Sequence, residues 1–251
     1  MARSRILPTD ESLEVWLASS NPGKLREFAE TVRGRGIRVK ALPGMDGLPP
    51  CIEDGATFEE NARKKAAYYS RGFDGLVFAD DSGLCVDALG GAPGVLSARF
   101  AGPRASDEAN NAKLIERLRH ALDPSGWNRR ESEGSDAGQT GAGTGTPAHY
   151  LCVIALARRG QVCAVTEGRA DGVIVPEPRG SGGFGYDPYF FYPPLDQTFA
   201  ELGPEAKFAV SHRGEAFRRL LEVIARPEFE SRAAEAPSTS SGTGDDLPVL
   251  S

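Results

Sequence analysis

The order of elements near the start of the chain constrains the fold most. A short apolar run at residues 14–19 stops at Asn-Pro-Gly (residues 21–23), and from Lys24 to Arg33 apolar side chains recur at helical spacing. This pattern predicts a strand, a tight loop and a helix. Such a unit is typical of α/β proteins.

Further elements extend this pattern. Thr57 and Glu60 form a capping box, in which each side chain is expected to satisfy the other residue's backbone donor at the start of a second helix. Apolar residues 75–79 predict a buried strand that ends at an Asp-Asp pair, and residues 149–157 and 161–167 predict an antiparallel hairpin. We therefore expect a mixed α/β fold with a central twisted sheet and flanking helices.

We expect one folded domain at residues 14–226. Within it, residues 125–147 (Ser125–Pro147) are rich in Gly, Ser and Thr and have almost nothing to bury, which predicts a disordered insertion. Residues 1–13 are expected to form a flexible N-terminus and residues 227–251 a disordered tail. A last helix should begin at Ser211 and end before Pro227.

Charge and composition narrow the classes of partner. The formal net charge of −6 argues against binding to a nucleic acid polymer, which requires a basic face, but permits a nucleotide ligand. The sequence has no apolar run of roughly 18 residues and no signal-peptide pattern, so we expect a cytoplasmic protein with no membrane partner. The four cysteines are scattered singly and are expected to be buried thiols.

The loop between the first strand and helix is a candidate phosphate site. Free amides and a positive helix end favour phosphate oxygens, and Lys24 would add a charge. The spacing of a P-loop is absent, because Leu25 stands where the metal-binding hydroxyl should be. An ordinary strand-to-helix turn has the same composition, so this motif leaves both interpretations open.

The acidic residues Glu53, Asp80 and Asp81 are a candidate metal site. Magnesium that is bound together with a triphosphate takes one or two carboxylates, and a carboxylate beside it could orient or deprotonate a water. A solvated acidic turn is the commoner fate of an Asp-Asp pair. The apolar residues on both sides of this pair weigh against that alternative.

Two later motifs could recognise a base and phosphates. In residues 182–188 (GGFGYDP), glycines would let the backbone approach a ligand and an aromatic ring could stack on a base. Lys207 and Ser211-His212-Arg213 form a basic set suited to phosphate or a purine carbonyl. A basic side chain at a helix N-terminus opposes the helix dipole, so Arg213 predicts a nearby anion.

The sequence contains five motifs in this order: SSNPGKLREF, TFEENARKKA, FADDSGLCVDALGGAPGVLSARFAG, GGFGYDPYFF and SHRGEAF. Together they closely resemble the inosine/xanthosine triphosphate pyrophosphatase family over residues 14–225. The resemblance implies two lobes around a long cleft, a homodimer, Mg²⁺ as cofactor, and hydrolysis of ITP, dITP and XTP to the monophosphate and pyrophosphate. The resemblance also implies the roles of individual residues. Asp81 would be the proton acceptor and, with Glu53, a metal ligand. The substrate-binding residues would be Ser19, Ser20, Asn21, Pro22, Gly23, Lys24, Lys65, Ser82, Phe184, Gly185, Tyr186, Asp187, Lys207, His212 and Arg213.

Two rival functions remain at this point. Nucleotide pyrophosphatases linked to septum formation also open with a strand and an LAS-type loop, but they continue with Ser-Pro-Arg-Arg rather than Asn-Pro-Gly-Lys. The second rival function is that of a nucleotide-binding regulatory module without catalytic activity. Retention of both Glu53 and Asp81 argues against that module, because a binding protein has no need of them.

Overall fold

A seven-stranded mixed sheet forms the centre of the protein, with strand order β2-β1-β3-β4-β5-β6-β7. The computed structural model describes residues 13–32, 36–122 and 145–226, together with Phe229. The strands are β1 (Leu13–Leu17), β2 (Ile37–Ala41), β3 (Leu76–Val86), β4 (Thr146–Arg158), β5 (Gln161–Ile174), β6 (Phe190–Tyr192) and β7 (Gln197–Thr198). The helices are α1 (Pro22–Thr31), α2 (Phe58–Tyr69), α3 (Asp107–Ala121), α4 (Pro204–Val210) and α5 (His212–Ile224). Within the described residues, no helix has the length and hydropathy needed to cross a bilayer.

Strand β3 differs from its sequence prediction in a way that shapes the site. It runs parallel to β1, where Phe78 pairs with Leu17 at the end of β1, and then continues antiparallel to β4 as far as Val86. Asp80 pairs with Ile154 and Asp81 with Val153. The prediction that the strand ends at the Asp-Asp pair is therefore wrong, because β4 supplies a ladder on which the acids continue the strand.

Successive residues of β3 face opposite sides of the sheet, and different helices cover the two sides. On one side, the Phe28 ring of α1 lies 5.2 Å from the Phe78 ring and 4.8 Å from the Phe217 ring of α5. On the other side, α2 packs its fully buried residues Ala62 and Ala66 in one cluster with residues 77 and 79 of β3. Asp80 therefore faces α1 and α5, whereas Asp81 faces α2.

Polar side chains begin several helices, as the sequence predicts for Ser211. The Ser106 and Ser211 hydroxyls accept the backbone N–H groups of Ala109 and Gly214 at the starts of α3 and α5. Thr57 likewise accepts the N–H of Glu60, but the Glu60 carboxylate accepts from the Ala56 N–H, at 2.7 Å, rather than from Thr57. The predicted capping box is therefore only half formed.

The domain limits can be compared with the described residues only in part. Strand β4 includes Thr146 and Pro147, the last two residues of the predicted insertion. Phe229 lies beyond the predicted start of the tail, yet it is buried in the cluster formed by β1, α1 and α5. Residues 1–12, 123–144, 227–228 and 230–251 lie outside the described residues. Of the four cysteines, Cys152 is buried as expected, but Cys51, Cys85 and Cys163 are partly exposed.

Candidate active site

A cavity of about 250 Å³ lies beside the middle of β3 and brings several predicted residues together. Its lining combines the phosphate-loop residues Asn21 and Lys24, Ser82 of β3, the loop 184–187, and His212 and Arg213 of α5. A larger groove of about 1030 Å³ runs between α1 and α4. It contains none of the predicted residues and three of its lining side chains are glutamates, which repel a triphosphate. The smaller cavity is therefore the candidate site.

The predicted phosphate loop is organised by Asn21. Its Oδ1 accepts the backbone N–H groups of Gly23 at 2.8 Å and Lys24 at 3.3 Å, and its own N–H donates to Ser19 Oγ at 3.2 Å. The expectation of free amides is thus wrong for Gly23 and Lys24 in this state. Ser20 and Pro22 are exposed beside them, and Pro22 is the first residue of α1. A phosphate would meet this loop at the positive end of α1.

Asp80 is a buried carboxylate neutralised by basic side chains from both helices on its side of the sheet. Its Oδ2 lies 2.7 Å from Lys24 Nζ and 3.7 Å from Arg213 Nε, and it accepts the Ser82 hydroxyl at 3.2 Å. Burial by itself would raise the pKa of Asp80, but Lys24, Arg213 and Lys65 lower that pKa far below its usual value. Asp80 is therefore ionised and fixes Lys24 and Arg213 at the cavity.

Asp81 and Glu53 meet at one ammonium group. Lys65 Nζ lies 2.8 Å from Glu53 Oε2 and 3.2 Å from Asp81 Oδ1, and Asn61 Nδ2 donates to Asp81 Oδ2 at 3.1 Å. Burial raises the pKa of Asp81, although Lys65 and the Asn61 hydrogen bond oppose that effect. The structure thus brings together the two predicted metal carboxylates from separate segments.

These two carboxylates fit a magnesium site that is completed by a triphosphate. Magnesium prefers oxygen ligands and, in nucleotide sites, takes one or two carboxylates while waters and phosphates supply the rest. Glu53 and Asp81 are such a pair, and they already converge on a cation. No group of three or more potential metal ligands occurs within the described residues.

The aromatic and cationic residues form a second cluster. Lys207 Nζ lies 2.5 Å from Asp187 Oδ2, and the Arg213 guanidinium donates to Glu27 Oε2 at 2.8 Å and to Ser82 Oγ at 3.1 Å. The Phe184 ring lies against both cations, 4.7 Å from Lys207 Nζ and 5.2 Å from Arg213 Cζ. The sequence prediction that Arg213 has a nearby anion is confirmed by Glu27 and Asp80.

His212 is buried and neutral. Its ring stacks on Tyr150 at 4.6 Å, and burial, together with the charges of Arg213 and Lys207, holds the pKa of His212 well below its usual value. Among the described residues, its Nδ1 atom has no hydrogen-bond partner, nor does Arg213 Nε. Buried polar atoms are usually paired, and both residues line the cavity, which makes His212 and Arg213 candidate contacts of a ligand there.

The loop 184–187 is held from α3 and from the 3₁₀ helix Gly94–Arg99. The Gly185 N–H donates to Asp107 Oδ2 at 2.6 Å, and the Tyr186 hydroxyl donates to the Ser97 carbonyl at 2.9 Å. Gly185 has a φ of 63°, a conformation that favours glycine. These contacts fix the loop that would cover a base.

Sequence reasoning missed several residues of this site. Asn61 orients Asp81, Glu27 pairs with Arg213, and Tyr150 supports His212. The spacing of Asn61 and Lys65 by four residues on one helix could have revealed the first. Glu27 and Tyr150 gave no local signal, because their partners are distant in sequence.

Comparisons with known proteins place this arrangement in context. The model of the Ham1 family matches residues 15–132 and 136–223, which include every site residue described above. The dITP/XTP pyrophosphatase of Geobacillus kaustophilus (strain HTA426) is 44% identical over 209 residues, covering 83% of this chain and 93% of that protein. The dITP/XTP pyrophosphatase of Burkholderia pseudomallei (strain K96243) is 46% identical over 225 residues, covering 88% and 93%.

Solved structures agree with these matches. A HAM1 protein from Coxiella burnetii superposes with a TM-score of 0.68 at 38% identity, covering 84% of this chain and 98% of that one. A nucleoside-triphosphatase, dITP/XTP pyrophosphatase, from Mycobacterium abscessus gives a TM-score of 0.55 at 36% identity, covering 84% and 96%. The mixed α/β fold is thus shared with proteins of related sequence.

Proposed function

This chain belongs to the Ham1 family, and from that membership we propose that it hydrolyses noncanonical purine nucleoside triphosphates, namely ITP, dITP and XTP, to the monophosphate and pyrophosphate. It is a nucleoside-triphosphate pyrophosphatase. Its activity would remove these nucleotides before they are incorporated into DNA and RNA. The single observation that carries the proposal is the meeting of Glu53 and Asp81, two carboxylates from separate segments, at Lys65.

We propose Glu53 and Asp81 as the residues that hold Mg²⁺. When bound, this cation would polarise phosphate oxygens and offset negative charge. Their carboxylates come from a loop and from β3, so the backbone fixes their separation. Asn61 of α2 donates to one oxygen of Asp81, and the other oxygen, which faces Lys65, would contact the cation.

Asp81 is proposed as the base that orients and deprotonates the attacking water. Burial raises the pKa of Asp81, which makes its carboxylate a better proton acceptor than an exposed aspartate. The water oxygen forms a bond to the α-phosphorus while the bond between the α-phosphorus and the α,β-bridging oxygen breaks, so pyrophosphate leaves. Lys24 and Lys65 would stabilise the negative charge on the leaving group, together with the positive end of α1.

Base selectivity is proposed to come from donors that face the cavity. Arg213 can only donate hydrogen bonds, and its Nε has no partner among the described residues, so it suits the 6-keto oxygen of hypoxanthine or xanthine. The 6-amino group of adenine would present a second donor and leave both groups unpaired. Neutral His212 can donate from one ring nitrogen, and Asp187 can accept from the ring or sugar. Phe184 and Tyr186 would form the platform for the base.

The remaining assignments are also proposals. Ser19, Ser20, Asn21, Pro22 and Gly23 would form the phosphate loop, while the other contacts would come from Ser82, Gly185 and Lys207. The family resemblance supports a cytoplasmic homodimer with two lobes around a cleft and no membrane partner. The acidic net charge argues against a nucleic acid polymer as partner. Light scattering of the purified protein would test the dimer.

A nucleotide panel tests the proposed function. Pyrophosphate release from dITP, XTP, dATP, dTTP and UTP should be measured with Mg²⁺ and after its removal by a chelator. We expect rapid release from dITP and XTP with Mg²⁺ and loss of release without it. A preference for dTTP and UTP would favour the septum-linked alternative, and no release from any nucleotide would favour the inactive regulatory module.

The Asp81→Asn variant tests the catalytic assignment. Its turnover should fall by at least about 100-fold, the usual scale of general-base catalysis, because the amide cannot accept a proton. Binding of a nucleotide analogue whose α,β-bridging oxygen is an imido group should remain measurable. Asp46→Asn, at an exposed position in the short 3₁₀ helix Met45–Gly47 outside the site, is the matched control. Wild-type turnover by Asp81→Asn would remove Asp81 from the mechanism.

A further inference from the structure

The ammonium of Lys65 lies where two carboxylates converge. It contacts Glu53 at 2.8 Å and Asp81 at 3.2 Å, and the Lys65 side chain is only 11% exposed. The other oxygen of Asp81 is already bonded to Asn61, so the oxygen that faces Lys65 is the one directed at the shared position. In this state a monovalent cation from the protein itself bridges the pair.

This arrangement satisfies a clear electrostatic need. Two carboxylates held close together in a partly buried site repel each other unless a cation lies between them. Lys65 Nζ lies within 3.2 Å of an oxygen of each carboxylate and supplies that cation. Lys65 therefore acts as an internal counter-ion of Glu53 and Asp81.

We propose that Lys65 occupies the divalent-cation position in the nucleotide-free protein and must leave it before a metal ion binds, which couples metal binding to triphosphate binding. This inference rests on the proposed function, because it takes Glu53 and Asp81 as the metal carboxylates. A displaced, mostly buried ammonium requires a new anion, and the triphosphate supplies one. Lys65 would thus exchange the two carboxylates for phosphate oxygens.

The coupling has a measurable consequence. In the nucleotide-free protein, Lys65 competes with a divalent cation for the same oxygens, so the affinity for metal alone should be weak. Removing its charge leaves two adjacent carboxylates without a counter-ion, and a dication then binds without having to displace one. Coupling between two sites typically changes an affinity by roughly 5–150-fold. We therefore expect the Lys65→Met variant to bind metal alone about tenfold more tightly or better.

Titration with Mn²⁺ alone, followed by electron paramagnetic resonance, measures this effect without any turnover. Wild type, Lys65→Met and Lys64→Met should be compared in the absence of nucleotide. Lys64 is the matched control because it is the neighbouring lysine of α2, is 48% exposed and pairs with Asp54 instead. The Kd for Mn²⁺ should fall in Lys65→Met and stay within about twofold of the wild-type value in Lys64→Met.

A second variant tests the inference if Lys65→Met fails to fold. Lys65→Gln removes the charge but keeps a polar end, and it should also tighten Mn²⁺ binding; circular dichroism checks the fold of each variant. If folded Lys65→Met or Lys65→Gln binds Mn²⁺ no more tightly than wild type, the inference is overturned. The nucleotide panel distinguishes failure of the proposed function from failure of the inference about Lys65. A wild type that releases no pyrophosphate would refute the proposed function whatever the Mn²⁺ affinities are.

Discussion

Removal of the Lys207 charge should show how strongly the stability of the protein depends on the ion pair between Lys207 and Asp187. Lys207 Nζ lies 2.5 Å from Asp187 Oδ2, and the two side chains are 6% and 4% exposed. The ammonium also lies 3.5 Å from Glu27 and against the Phe184 ring. Lys207→Met keeps most of the apolar stem and removes the charge, so the change is mainly electrostatic.

The size of the effect follows from burial. Removing one partner of a buried pair typically costs about 3–5 kcal/mol, because the other charge is left without compensation. Asp187 would retain the Phe184 N–H at 2.9 Å and the Tyr150 hydroxyl at 3.5 Å. It can also take up a proton. We therefore expect the lower end of that range, about 3 kcal/mol in the free energy of unfolding near neutral pH.

The pH dependence of this loss has a definite sign. Burial raises the pKa of Asp187 and Lys207 opposes it, so the variant should have a still higher Asp187 pKa in the folded state. A carboxyl whose folded-state pKa is raised contributes stability at low pH and loses it as pH rises through that pKa. The destabilisation relative to wild type should thus grow by about 1.4 kcal/mol per pH unit between the Asp187 pKa of folded wild type and that of the folded variant.

Urea unfolding of wild type, Lys207→Met, Asp187→Asn and the double variant provides the assay. If the pair is coupled, adding Asp187→Asn to Lys207→Met should recover much of the lost stability, because no unpaired buried charge remains. The reasoning would be refuted by a loss below about 1 kcal/mol in Lys207→Met, or by additive losses in the double variant.

Three other substitutions test separate parts of the structure. His212→Gln should remove a pH dependence of the free energy of unfolding, because the folded-state pKa of His212 is depressed. Between about pH 7.5 and about pH 5.5, wild type should lose about 1.4 kcal/mol of that free energy relative to the variant. Equal losses for the two proteins in urea unfolding would contradict this. Gly83→Ala should cost about 1–3 kcal/mol in thermal unfolding, because a Cβ there would lie 2.5 Å from the Gly94 carbonyl oxygen; an unchanged Tm would contradict the packing. Phe229→Ala should cost about 2–3 kcal/mol, since that ring is buried in the core; no loss would mean that it does not pack there.

Local signals predicted the start of the last helix at Ser211, whereas α1 begins at Pro22, two residues before the helical pattern that starts at Lys24. Asn21, Ser106 and Ser211 each cap a helix through contacts that span only two or three residues, so the sequence neighbourhood determines them. The end of β3 could not be predicted in this way. Asp80-Asp81 resembles a solvated turn until Lys24 and Lys65, which lie on other elements, neutralise the two carboxylates inside a strand.

The candidate site was also predicted only in part: local sequence revealed its residues, and the fold creates the contacts between them. The motifs identified Lys65, Asp187, Lys207 and Arg213, but not the pairs that these residues form. Arg213 pairs with Glu27 across 186 positions, and the fold alone creates that proximity by packing α1 and α5 against one side of β3. The capped amides at Asn21 are a further case, because a loop sequence does not reveal which of its own side chains occupies its donors.

Hydrolysis of dITP in ¹⁸O-labelled water tests the central claim most directly. If water attacks the α-phosphorus, as the proposed role of Asp81 requires, mass spectrometry should find one ¹⁸O atom in dIMP and none in the pyrophosphate. Label in the pyrophosphate, or release of orthophosphate with dIDP, would contradict the proposed reaction.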